Sequence, residues 1–253
     1  MPVSSHLSVR AIHNIPSIKP GADLSGLIMA AVTAMGIGLE SEDILVVAQK
    51  IVSKAEGRVV MLSDINPSPF AIGIAKQYGG DSRHIEVVLQ ESSRIVRMDR
   101  GILITETHHG FICANAGVDS SNAIVAGSVC LLPENPDASS RDLRNGIEAI
   151  TGLKIGVIIT DTFNRPWRLG TTNVAIGTAG VYPFTDYRGL TDANGYEMNS
   201  SYAAFADQVA GAAELVMGKT DDLPVALVRG LSYASDPDGA QQMRRSPELD
   251  LFR

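Results

Sequence analysis

The chain of 253 residues is 45% hydrophobic and 19% charged, which supplies apolar surface for a substantial core and excludes a mainly disordered chain. Against 21 Lys and Arg stand 28 Asp and Glu, and the net charge of −7 excludes a protein whose main task is gripping nucleic acid phosphates. No apolar run is long enough to span a bilayer and no basic flank leads into a signal-peptide core, so a cytoplasmic protein with no membrane partner is expected.

Leu24, Leu27, Ile28, Ala31 and Met35 recur at spacings of three and four and predict a helix that Gly36 and Gly38 end. The continuous apolar run Ile44–Ala48 predicts a strand buried on both faces. Asn66-Pro67-Ser68-Pro69 reads as a turn and helix start, with helical periodicity over 70–91 broken at Gly79-Gly80. Short strands are expected at 95–96, 101–105 and 111–114. After the Pro-rich loop 133–137, Ser139 or Ser140 is expected to cap a helix with Leu143, Ile147 and Ile150 as its buried stripe. An apolar strand over 154–160 is expected to end at Asp161-Thr162, followed by a Gly-rich stretch over 170–180 and a hairpin loop at 192–195. Tyr202, Phe205, Val209, Ala213 and Val216 predict the last long helix, and 225–228 the last strand.

Strands and helices mix without a regular βαβ rhythm, so the expected class is α/β or α+β. The chain reads as one domain over 1–253, with two lobes and a seam near residue 135. Cys113 and Cys130 sit inside apolar segments, where a buried reduced thiol is the ordinary state, and neither a disulfide framework nor a zinc site is expected.

Asp161 is expected at the end of a buried strand, where open α/β sheets gather their ligands. An Asp capping the next turn is the competing reading. Thr162, Asn164, Arg165 and Arg168 lie within a few residues, and a carboxylate with two guanidinium forks suits a metal-bridged polyphosphate. Asp119 and Asn122 share a second short polar loop that, taken alone, reads as a plain turn. Should that loop face Asp161 across a cleft, the two carboxylates would offer a hard cation its oxygen ligands. Lys50 and Lys54 follow a strand and read either as a solvated surface or as point charges for phosphate. Met217-Gly218-Lys219-Thr220 has the tail of a phosphate-binding loop without the upstream glycine, and it follows a helix. His108 and His109 are adjacent and, on a strand, would point to opposite faces, so a loop or substrate contact is expected of them.

Taken together, Ile15-Pro16-Ser17-Ile18, residues 51–58, 115–122 and 131–139, Ile158-Ile159-Thr160-Asp161-Thr162 and 224–230 resemble the coenzyme F420-0:γ-glutamyl ligases over residues 15–230. The resemblance implies a GTP-dependent ligase that adds L-glutamate to the lactyl carboxylate of F420-0 through an acyl phosphate and extends a γ-linked tail. It implies Mg²⁺ or Mn²⁺, with K⁺ a further candidate ion, and a two-lobed fold with mixed sheets working as an intertwined homodimer. By motif, Asp119, Asp161 and Thr162 match metal-site positions. Ile15, Pro16, Ser17, Ile18, Gln49, Lys50, Lys54 and Asn122 match positions lining the guanine nucleotide, as do Met217, Gly218, Lys219, Thr220, Asp221, Asp222 and Leu223 near the end. Asp119 and Asp161 would serve catalysis through the metal, while Arg165 and Arg168 are assigned to the phosphoryl group from charge and proximity alone. Some relatives carry an acidic residue after the Met-Gly pair, where this chain has Lys219. A related ligase with another acceptor or amino acid, and a nucleotide-binding regulator without turnover, are the competing functional readings.

Overall fold

The computed structural model describes residues 6–120, 126–235 and 239–250. The chain runs β1 (Ser8–Ala11), α1 (Leu24–Ala34), β2 (Ile44–Ala48), α2 (Gln49–Ala55), β3 (Val59–Met61), α3 (Pro69–Tyr78), α4 (Ser82–Gln90), β4 (Ser92–Asp99), β5 (Ile102–Thr107) and β6 (Ile112–Ala114). It continues through β7 (Ser128–Cys130), α5 (Pro136–Thr151), β8 (Gly156–Arg165), β9 (Arg168–Ala179), β10 (Thr185–Asp186), β11 (Tyr202–Ala203), α6 (Phe205–Met217) and β12 (Val225–Arg229). The class is mixed α/β. No helix among the described residues is long and apolar enough to cross a membrane.

Five strands form the main sheet in the order β1-β12-β2-β8-β9. Only β2 and β8 are parallel, and the other pairs are antiparallel. Alternation along the strands divides the core between two faces. Leu45, Val47, Val157 and Ile159 meet Ile28 and Val32 of α1 and Leu143 and Ile147 of α5 on one face. Ile44, Val46, Ile158, Ala226 and Val228 meet Phe205, Val209 and Ala213 of α6 on the other. Each such buried aliphatic side chain contributes roughly 1.5–3 kcal/mol by leaving water, so both helical layers are needed to hold the sheet. A third core joins α3 and α4, through Ile74, Ile85 and Val88, to Leu103 of β5 and Val129 of β7.

Several sequence expectations are corrected. Helix α5 starts at Pro136, with Asn135 rather than Ser139 or Ser140 as its cap, accepting the Ala138 N–H. Pro at the first position loses nothing there because its missing N–H would be unsatisfied anyway. Ile150 lies outside the stripe and is 54% exposed. Strand β8 does not stop at Asp161 but runs on to Arg165. The Gly-rich stretch is the strand β9, paired along its length with β8. Tyr202 belongs to β11 rather than to the last helix.

The outer edge of β9 is closed by carboxylates instead of another strand. Asp207 of α6 accepts the Ala175 N–H at 2.9 Å, and Glu214, two helical turns on, accepts the Asn173 N–H at 2.8 Å. A bare edge would expose these donors to a foreign strand. Burial pushes the Asp207 carboxyl above its usual range, opposed by that N–H.

Candidate functional site

The sheet's connectivity brings four chain segments to one end. Strands β2 and β8 are parallel with Ala48 opposite Thr160, so both deliver their C-terminal ends there. Strand β12 runs the other way with Val225 opposite Val47, which puts the residues just before it at the same end. Strand β1 is antiparallel to β12 with Ala11 opposite Ala226, and the segment after it arrives there too. The cleft between these segments has a volume of about 630 Å³, within the roughly 300–1,000 Å³ of small-molecule sites.

Most of the sequence-predicted residues line this cleft: Ile15, Pro16, Ser17 and Ile18 after β1, Gln49, Lys50 and Lys54 on α2, Asp161 and Thr162 on β8, and Met217, Gly218, Lys219, Thr220, Asp222 and Leu223 between α6 and β12. Asp221 instead packs back on Gly218. Arg165 and Arg168 stand at the β8–β9 hairpin tip and do not line the cleft. The Arg165 guanidinium donates to the Leu169 carbonyl at 2.6 Å. Asn122 lies outside the described residues. His108 and His109 sit in the β5–β6 turn, their Nε2 atoms 2.8 Å from the Gln90 carbonyl and 2.9 Å from the Pro133 carbonyl.

Asp119 is not among the residues lining the cleft and meets it through Lys50. The backbone ahead of it, Asn115, Ala116 and Gly117, takes three successive positive φ values of 52°, 53° and 71°. A Cβ on Gly117 would meet the Leu132 side chain at 2.8 Å, so that position needs glycine for space as well as for conformation. Asp119 then exchanges both backbone hydrogen bonds with Cys130, and its Oδ2 lies 2.7 Å from the Lys50 ammonium.

Alternation places Asp161 on the sheet face of Ile159 and Phe163, and Thr162 on the opposite face with α6. Burial pushes the Asp161 carboxyl up to about 6; the Thr162 N–H opposes the rise, the nearby Asp119 carboxylate adds to it, and Lys50 and Lys219 offset it. Burial and a like charge both disfavour the ionised form, and a hard cation between the two carboxylates would relieve both. Among the described residues no group of three His, Cys, Asp or Glu is arranged for a metal, so the protein ligands on offer are the Asp119–Asp161 pair. The Thr162 hydroxyl is already engaged: it donates to Asn173 Oδ1 at 2.7 Å and accepts from Lys219 at 2.6 Å.

The sequence reading missed Asn173 and Glu214. Glu214 accepts the Lys219 ammonium at 2.6 Å while holding the Asn173 backbone. The available signal was Asp207 and Glu214, seven residues apart and so on one stripe of α6, beside Ala210 and away from Phe205 and Val209. Gln49, 2% exposed, accepts the Ser53 hydroxyl on Oε1, and its Nε2 has no acceptor among the described residues.

A family model described as F420-0:Gamma-glutamyl ligase matches residues 13–230. The chain belongs to this family. It is 45% identical over 241 residues to the coenzyme F420:L-glutamate ligase of Methanopyrus kandleri, covering 93% of each chain. It is 39% identical over 250 residues to the enzyme of that name in Methanothermobacter thermautotrophicus, covering 98% of this chain and 99% of the relative. A third relative so named, from Archaeoglobus fulgidus, is 38% identical over 248 residues. The match takes in all four segments of the cleft, so the site is built on the part of the chain common to the F420-0:γ-glutamyl ligase family.

Proposed function

We propose that this chain is a GTP-dependent ligase that joins the amino group of L-glutamate to the lactyl carboxylate of coenzyme F420-0 and then extends a γ-linked tail. The observation that carries the reading is the meeting of Asp161, half-buried and with its carboxyl pushed up to about 6, with Asp119 and three lysines, 50, 54 and 219, at a cleft built by family-matched segments. A carboxylate is a poor acyl donor because its oxygen leaves poorly. In this reading a carboxylate oxygen of the acceptor attacks the γ-phosphorus, the bond to the bridging oxygen breaks, and GDP leaves. The glutamate nitrogen then attacks the acyl carbon, phosphate departs with the former carboxylate oxygen, and the nitrogen sheds a proton to form the amide.

The residues at 15–18 and 217–223 hold the nucleotide from two sides, Gln49 and Lys50 meet it at the strand end, and Lys54 offsets charge on the transferring group. Asp119 and Asp161 would hold Mg²⁺ or Mn²⁺. When bound, that ion supplies charge neutralisation between triphosphate and acceptor. The main test is the product mass from purified protein, GTP, Mg²⁺, F420-0 and L-glutamate. A gain of one glutamyl residue or more is expected; GDP release only with another acceptor or amino acid, or no release at all, would overturn this substrate assignment. Lys54→Ala should weaken GTP binding about tenfold, the scale of losing one charge-assisted contact, and an unchanged affinity by calorimetry would remove Lys54 from the site.

We also propose that the chain works in the cytoplasm as an intertwined homodimer of two-lobed, single-domain subunits. The support in this molecule is the hairpin tip, where Trp167 is 80% and Leu169 97% exposed. Arg168 stands between these two residues and Arg165 two positions before Trp167, and a neighbouring copy is the route by which either would reach a phosphoryl group. Leu169→Asp should shift the sedimenting species to monomer at micromolar concentration; a wild-type monomer, or an unshifted dimer, counts against this contact.

A further inference from the structure

The Lys219 ammonium, on a side chain 52% exposed, sits in an open cage of oxygens of a kind more often found around a metal. Its nitrogen lies 2.6 Å from Thr162 Oγ1, 3.1 Å from Asn173 Oδ1 and 2.6 Å from Glu214 Oε1. The three oxygens are a hydroxyl, a carboxamide carbonyl and a carboxylate, which is a ligand set for hard cations. They come from β8, β9 and α6, three elements locked to one another: β8 and β9 by their ladder, and β9 to α6 through the Asn173 N–H and Glu214 Oε2. The cage is therefore braced independently of the lysine. An ammonium has three donors, and here each has an acceptor. The same residue lines the cleft.

We infer that Lys219 is a tethered cation standing where a dissociable one would otherwise bind, so that this site needs fewer free metal ions than its oxygen donors could hold. The ammonium supplies positive charge to an anionic ligand from the α6 side, while the Asp119–Asp161 pair is left for the divalent ion. This rests on the ligase reading only for the identity of the anion; the occupancy of the cage is independent of it.

Equilibrium binding of Mn²⁺ alone, read by electron paramagnetic resonance without nucleotide, tests the inference. Lys219→Ala should bind one Mn²⁺ per chain more than wild type, and Lys219→Ala with Glu214→Gln should lose that extra ion. Lys219→Arg, which keeps a cation at the position, should match wild type. Lys219→Met keeps the side-chain stem and serves if the alanine variant does not fold. An unchanged Mn²⁺ count in folded Lys219→Ala or Lys219→Met overturns the inference, as does an extra ion that survives Glu214→Gln. Because no turnover is measured, failure here is distinct from failure of the ligase assignment, which the product mass reads.

Discussion

Asp161→Asn is expected to abolish ligation and, at the same time, to make the metal-free protein more stable. The first effect follows from removing an anionic ligand from the Asp119–Asp161 pair, with a loss of turnover of about 10³-fold, the scale of deleting one preorganised electrostatic contact. The second follows from the carboxyl's environment. Its folded value, about 6, lies above the ordinary 3.8, so between these two values the folded state holds a proton that the unfolded state has released. Stability attributable to this group therefore falls as pH rises from about 4 to 6, and above that the ionised carboxylate carries a constant penalty of about 3 kcal/mol. Asparagine cannot ionise, and its carbonyl can still accept the Thr162 N–H.

At pH 8 in chelator, Asp161→Asn should melt roughly 6–12 °C above wild type, on the scale of a chain this size, and near pH 4 the two should coincide. Added Mn²⁺ should raise the wild-type midpoint much more than the variant's. A variant that melts below wild type at pH 8 without metal, or one that keeps near-normal glutamylation, would show that Asp161 is not held in an unfavourable state for a cation. A carboxylate that costs stability until its ion binds is the ordinary signature of a functional site.

The elements legible in the sequence are those with a strong pattern of their own. Helix α1 shows its buried stripe at three- and four-residue spacing, and β2 is apolar at every position because both of its faces are covered. Helices α3 and α4 are separated at Gly79-Gly80 because both glycines have positive φ. Strand β9 had no such pattern. Its second half is buried, yet it uses Gly177 where other strands use valine. A Cβ there would meet the Pro136 carbonyl at 2.3 Å, so close approach of α5 selects glycine and erases the apolar signal. The far half of β8 is hidden because it leaves the core: Asp161 and Thr162 reach the cleft, while Asn164 and Arg165 run out to the hairpin tip. The sequence marks Asp161 as a chemical group at a strand end, whereas the parallel partner β2 stops at Ala48 and β8 runs on. The opening this leaves is the cleft.

The sequence pattern puts Asp137 in a loop, yet its replacement by alanine is expected to be among the most destabilising changes in the chain. The residue follows Pro136 in the first turn of α5 and is 3% exposed. Its carboxylate accepts the Thr178 N–H at 2.9 Å, the Ala240 N–H at 2.8 Å and the Gln241 N–H at 3.3 Å. Strand β9, α5 and the segment 239–243 thus meet on one side chain. Gly239, at φ 81°, lets the last of these pass, since a Cβ there would lie 2.4 Å from the carboxyl carbon. Alanine would leave buried donors without acceptors, at about 1–3 kcal/mol each. Some relief from water entering near the C-terminal segment brings the expected total to roughly 3–5 kcal/mol, or about 6–20 °C in the melting midpoint.

Asparagine should recover only part of this, because its amide nitrogen would face another N–H. The backbone donors that Asp137 satisfies are not cleft residues, so turnover of Asp137→Ala at a temperature where it remains folded should stay within about threefold of wild type, a change of less than 1 kcal/mol in the barrier. A midpoint within 2 °C of wild type would show that water replaces the carboxylate freely. A normal midpoint with lost turnover would instead move Asp137 from the scaffold to the reaction. The carboxylates of this fold divide on that criterion: Asp137, Asp207 and Glu214 satisfy backbone donors and hold β9 in register, while Asp161 lacks such full compensation and is left in need of a cation.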